Sequence, residues 1–227
     1  MVATMEWEKN RRRNKGGRGE MRLNIVPMFL AMVVAFCVSC GVTKRSERPD
    51  VIPPPSQDYK VLGKLSGLKG VVIQYDDRIF RGGDIVASSA SESLKKLGVK
   101  TVIATNPSKW ERRFCRNHKF RLIEIPFSKK SGMTSSDLQS YLDAIRLESG
   151  PFYLHDGGAG TDKAGVLGLV YRLYFQGWDY DRAVIEFGRL GGSLAEDRKM
   201  LESVQNLQEP SFAKPQPTIG NPTDIKW

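Results

Sequence analysis

Between residues 62 and 207, short runs of β-branched and aromatic residues alternate with stretches whose apolar residues recur at helical spacing. Val71 to Tyr75, followed by Ile79 and Phe80, reads as a hairpin turning at Asp76 and Asp77. "KTVIA" (100–104) and "RLIEI" (121–125) read as buried strands. "SSASESLKKLG" (88–98) has a serine to cap it, leucines on one side and a glycine to stop it, so it predicts a helix between strands. "NPSKWERRFCRNH" (106–118) predicts a second helix, with Trp110, Phe114 and Cys115 on its packed side, and "MTSSDLQSYLDAI" (133–145) a third, capped by Thr134 or Ser135. The strand "PFYLH" (151–155) leads through a glycine-rich loop into a helix from about Asp162 to Gln176 that ends at Gly177. Val166, Leu167, Leu169, Val170 and Leu173 form its apolar face. In "GWDYDRAV" (177–184), Asp179 reads as the cap of the following helix and Trp178 as a core contact. This alternation predicts an α/β fold with a mostly parallel central sheet flanked by helices. Such sheets bind ligands beyond the carboxyl ends of their strands, which is where residues 156–162 fall.

The ends of the chain have a different character. Residues 1–40 form an N-terminal extension and a signal-type leader: Arg22, an apolar stretch from Ile25 to Val38, then "CVSCG". Fourteen mostly apolar residues fall short of the roughly 20 that a spanning helix needs, which favours export over a permanent span. The ending resembles a bacterial lipobox, with Ser39 in the small position and Cys40 as the cysteine to be lipidated; Cys37 stands where an aliphatic residue is usual. An ordinary cleaved signal or an uncleaved anchor is the alternative, and Met21 would be a more conventional start than Met1. Residues 41–61 contain three consecutive prolines and read as a stiff tether, residues 62–207 as the domain, and 208–227 as a flexible tail. The implied setting is an exported protein, membrane-anchored in a bacterial cell envelope.

Charge and cysteine content narrow the partners. Of the net +10, the first 40 residues hold seven basic against three acidic groups, which leaves 28 basic and 22 acidic residues, a net of +6, for the rest. A mixed-charge surface of that kind argues against nucleic-acid binding. Arg112, Arg113, Lys129 and Lys130 read as a solvated face or as a rim for acidic or phosphorylated partners. Two of the three cysteines lie in the leader, so Cys115 is the sole thiol of the domain and no disulfide framework is available.

The loop carries the candidate chemistry. His155, Asp156, Gly157, Gly158, Ala159, Gly160, Thr161, Asp162 and Lys163 join a strand to a helix N-terminus, the layout of a phosphate cradle built from backbone N–H groups. His155, Asp156 and Asp162 would make a metal trio, but their spacing fits no established ligand pattern. No metal and no cofactor are expected.

From "RIFRGGDI" (78–85) through this loop to "DRAVIEF" (181–187), roughly residues 70–190, the chain resembles the cysteine-dependent dual-specificity and tyrosine phosphatases, in particular their compact bacterial members. The resemblance implies a signature of His-Cys, five residues, Arg, then Ser or Thr. In it the thiolate attacks phosphorus, the arginine fork holds phosphate oxygens and an aspartate on an earlier loop acts as general acid. It also implies that Arg81 is a structural clamp. His155 matches the histidine, and Asp156 falls on the cysteine. With one extra glycine in "GGAG", Lys163 falls on the arginine, Ala164 on the hydroxyl residue and Gly165 on the glycine; a strict count puts Asp162 on the arginine instead. The loop after "IP", "FSKKSGMTSS" (127–136), has no carboxylate, and Asp137 falls inside the next helix. Asp156 would compete with phosphate for the loop's N–H groups, with Lys163 as its nearest counter-charge, so the expectation is a loop filled by its own side chain. The implied protein is a pseudophosphatase that binds a partner or an anionic, phosphorylated ligand. The rivals are a phosphoric-monoester hydrolase using Asp156 or a metal, and a purely structural envelope lipoprotein.

Overall fold

The computed structural model describes residues 52–207, so the leader, Cys40 and the tail from 208 onward lie outside the described residues. Six strands run β1 Lys60–Gly63, β2 Val72–Gln74, β3 Ile79–Gly82, β4 Thr101–Ala104, β5 Arg121–Glu124 and β6 Phe152–His155. Six helices run α1 Ala90–Lys96, α2 Lys109–His118, α3 Ser135–Leu147, α4 Lys163–Phe175, α5 Tyr180–Arg189 and α6 Arg198–Gln205. The strands form one sheet in the order β1-β2-β3-β6-β4-β5. β1, β2 and β3 pair antiparallel, whereas β3, β6, β4 and β5 are parallel. Gly82 and Ala104 both stand level with His155. The segments leaving β3, β4 and β6 therefore meet at one edge of the sheet, and the loop 156–162 is one of them.

Strand alternation divides the core into two layers. Ile73, Ile79, Ile103, Phe152 and Leu154 face α3 and α4, where Leu138, Tyr141, Leu142, Val166 and Val170 meet them. Val72, Phe80, Val102 and Tyr153 face α1 and α2, against Leu94, Phe114 and Cys115. Helix α4 is buried almost all round, from Ala164 to Arg172, because α5 and α6 cover the side turned from the sheet. The expected apolar face is present, with Leu173 only partly buried. No helix among the described residues is long and apolar enough to cross a membrane.

Local chemistry explains most boundaries. Ser108 and Glu111 form a capping box on α2, and Thr134 and Asp137 form one on α3, which settles that cap on Thr134. Asp179 caps α5 by accepting from the Arg182 N–H at 2.8 Å, and Gly177 takes the left-handed φ of 67° that stops the chain after α4. Three expectations need correction. Ser89 stands at the cap position of α1 but makes no side-chain cap bond, since its backbone is already helical (φ −59°, ψ −18°). β5 is the exposed edge of the sheet, not a buried strand, with Arg121 and Glu124 turned to solvent. Trp110 is 40 % exposed, stacked on Phe114 at 5.4 Å, and so lies on the rim of α2 and not in its packed face. β1 begins at Lys60, and Tyr59 just before it is buried with its hydroxyl donating to the Pro54 carbonyl at 2.7 Å.

Candidate functional site

The loop closes on the side chain of Asp156. Oδ1 accepts from the N–H groups of Gly158 at 3.1 Å and Gly160 at 3.2 Å, and Oδ2 accepts from the N–H of Ala164 at 3.1 Å, in the first turn of α4. The residue is 4 % exposed. A helix N-terminus and a run of glycine amides are donors suited to an anion, and here the chain's own carboxylate takes them. The expectation that the loop is filled by its own side chain is met at this level, and the donors are backbone groups.

The glycines let the loop come this close. Gly160 has φ of 83°, and a Cβ there would stand 2.1 Å from the Gly82 carbonyl. The Gly158 carbonyl accepts from the Asp84 N–H at 2.9 Å, tying the loop to the segment after β3. With these contacts the loop is braced on β3 as well as on β6.

His155 lies on the other face of the sheet, with its ring stacked against Tyr153. It is 1 % exposed, and burial lowers its pKa, with Glu111 acting the other way. Nδ1 lies 3.6 Å from Glu111 Oε1 and 3.5 Å from the Asp156 carbonyl. The trio of His155, Asp156 and Asp162, whose spacing already argued against a metal, is split: Asp156 turns into the cradle and Asp162 turns to Lys129.

Lys129 is the main residue whose role the sequence left open. It comes from the loop where the resemblance places a general acid, and its Nζ reaches Asp162 at 2.5 Å and Asp197 at 2.9 Å. Partial burial works to lower its pKa, but the two carboxylates outweigh that and the value is raised. Asp197, fully buried, also accepts from the Ser193 N–H at 3.0 Å. Lys129 thus joins three segments and is not part of a free basic rim. Arg112 is likewise engaged, holding both oxygens of Glu124 at 2.7 and 2.6 Å, while Arg113 and Lys130 are exposed. Lys163 is the first residue of α4, behind the cap position of Asp162.

Two other residues fall where the sequence put them. Arg81 is a buried clamp, donating to the Leu190 carbonyl at 2.8 Å and to the Tyr75 hydroxyl at 3.4 Å. Cys115 is packed in the core beneath α2, and burial pushes its thiol up to about 12, which removes it as a nucleophile. Asp84, Glu111 and Asp197 were not foreseen at the site. Glu111 was visible as a capping residue three positions after Ser108, but nothing local signals that its carboxylate also faces His155.

No protein-family model matches the chain, and no curated protein matches its sequence. Solved structures do. A cysteine-to-serine variant of P. aeruginosa TpbA in complex with pTyr superposes with a TM-score of 0.56 at 19% identity, over 68% of this chain and 93% of that one. P. aeruginosa TpbA without that ligand gives 0.54 at 18% identity, over 65% and 91%. The core catalytic domain of a S. cerevisiae PP-IP phosphatase in complex with citrate is more distant, with a TM-score of 0.46 at 18% identity over 67% and 86%. The chain has the fold of the cysteine-dependent dual-specificity and tyrosine phosphatases, a mixed and mostly parallel six-stranded sheet with helices on both faces.

Proposed function

We propose that this protein is a pseudophosphatase: it keeps the phosphatase fold but does not hydrolyse phosphoesters, and it acts by binding a partner or an anionic ligand. The observation that carries this reading is the Asp156 carboxylate seated on the N–H groups of Gly158, Gly160 and Ala164. Those donors would otherwise take the phosphate oxygens, and a carboxylate in their midst repels a phosphate dianion. The position of the arginine fork is held by Lys163 or Asp162, neither of which offers bidentate recognition. The general-acid loop instead supplies Lys129, whose pairing with Asp162 and Asp197 ties that loop down. Recognition of an acidic or phosphorylated partner then falls to outward-facing cations such as Lys130.

The deciding experiment is phosphate release from an aryl phosphate and from phosphotyrosine peptides, the latter suggested by the pTyr bound to the TpbA variant. The native protein is expected to release none above background, with or without divalent metal. Release that vanishes on Asp156→Ala would overturn the proposal and assign carboxylate chemistry. Location is proposed on the leader alone: export and lipidation at Cys40, anchoring the protein to a membrane of the cell envelope. Mass spectrometry of the mature N-terminal peptide is expected to show an acylated Cys40, and an unmodified peptide beginning elsewhere would remove the anchor.

A further inference from the structure

A second cluster lies at the same sheet edge, beside the cradle loop. Asp84 follows β3, Glu111 stands in the first turn of α2 and His155 ends β6; one ligand atom from each lies within 4.8 Å of the others. Glu111 is oriented before any ligand arrives: Oε2 accepts from the Ser108 N–H at 2.6 Å and Oε1 from the Ile85 N–H at 3.3 Å. Backbone bonds of this kind to a carboxylate are what fixes a metal ligand's direction. His155 adds an independent sign. Its imidazole is 1 % exposed, yet its Nδ1, the nitrogen turned to Glu111, has no contact shorter than 3.5 Å. A buried imidazole without a good hydrogen bond is costly and needs a reason. Nδ1 points at the Glu111 carboxylate, where a cation between them would supply one.

We propose that Asp84, Glu111 and His155 bind one divalent cation of the Zn²⁺ or Mn²⁺ class, as a structural clip joining the ends of β3 and β6 to the start of α2. The donor set, one imidazole and two carboxylates, suits borderline cations that accept both nitrogen and oxygen. Metal–ligand distances of about 2.1 Å put tetrahedral ligand atoms roughly 3.4 Å apart. His155 Nδ1 and Glu111 Oε1, at 3.6 Å, already meet that spacing. Asp84, the half-buried member, gives the cation its entry from solvent. The clip does not involve the carboxylate of Asp156, so it stands whether or not the cradle is catalytically silent.

The test uses the full chain, stripped with chelator. Mn²⁺ binding is followed by loss of the free-ion EPR signal, because Mn²⁺ discriminates against the thiolates of the leader, and Zn²⁺ by calorimetry. One saturable equivalent is expected, together with a rise in thermal midpoint. Asp84→Asn, at the half-buried rim, and His155→Ala are each expected to weaken binding at least tenfold, while His118→Ala, which removes the chain's other histidine, leaves it unchanged. Since His155→Ala can also perturb packing, Asp84→Asn decides. Absence of saturable binding, or binding that Asp84→Asn leaves intact, overturns the site and returns Glu111 and His155 to an ordinary buried contact.

Discussion

Two charged groups are buried at opposite ends of α4, and they are satisfied in different ways. At its N-terminus, Asp156 is held by three backbone N–H groups. Toward its C-terminus, Arg172 is held mostly by side chains. Its Nε and Nη2 meet Glu186 at 2.9 and 2.6 Å, Gln176 accepts from Nη1, and the rings of Tyr75 and Trp178 lie 4.5 and 4.3 Å away. A backbone cradle keeps its shape when its guest leaves, since the loop and helix define it. A side-chain pair does not survive in the same sense: removing one partner leaves the other charged and dry. The first kind of burial makes a site, and the second makes a strut.

The largest effect is expected at the strut. Glu186→Ala should cost about 3 kcal/mol, the lower end for breaking a buried pair, because Gln176 and the Asp58 carbonyl still hold Arg172. Urea unfolding measures it, and a loss below about 1 kcal/mol would erase the contrast. Asp156→Ala comes next, at about 1–3 kcal/mol for donors left unsatisfied. Its distinguishing mark is rescue: millimolar phosphate should raise the thermal midpoint of the variant and leave the native protein unmoved. Equal responses would mean that Asp156 does not occupy an anion site.

Smaller effects sharpen the picture around the two groups. Thr134→Ala removes a formed cap and should cost about 1 kcal/mol, whereas Ser89→Ala, with no cap bond to lose, should be close to neutral. The gentlest effect is expected from pH. Burial holds Tyr141 and Tyr153 well above the ordinary tyrosine value and Cys115 up to about 12. Below about pH 8.5 these groups are protonated in both states and contribute no pH dependence. Above it the unfolded chain loses protons that the folded protein retains, so stability falls as pH climbs toward 12. Denaturant midpoints that stay level from pH 8 to 11 would show that these groups ionise in place.

How much of this was legible in the sequence depended on the range of the interaction. The capping boxes at Ser108 and Thr134, the stop at Gly177 and the hairpin at Asp76 rest on residues within a few positions of one another, and all were readable. The Asp156 cradle was readable for the same reason, as its farthest donor, Ala164, lies only eight positions along the chain. Ser89 misled because a cap needs a backbone conformation as well as a residue type. β5 misled because an apolar strand at the sheet edge and one in its middle carry the same local pattern.

The sequence by itself determined the alternation of strands and helices, the order in which they come and the glycine-rich loop with Asp156 at its start. Only the tertiary structure decided that Lys129 meets Asp162 and Asp197, that Glu186 meets Arg172 and that Asp84, Glu111 and His155 converge. Those contacts join separate elements, and nothing in the periodicity of one element specifies which side chain of another its polar residues will face. For Asp84, Glu111 and His155, the parallel order β3-β6-β4 set that by bringing three strand ends level.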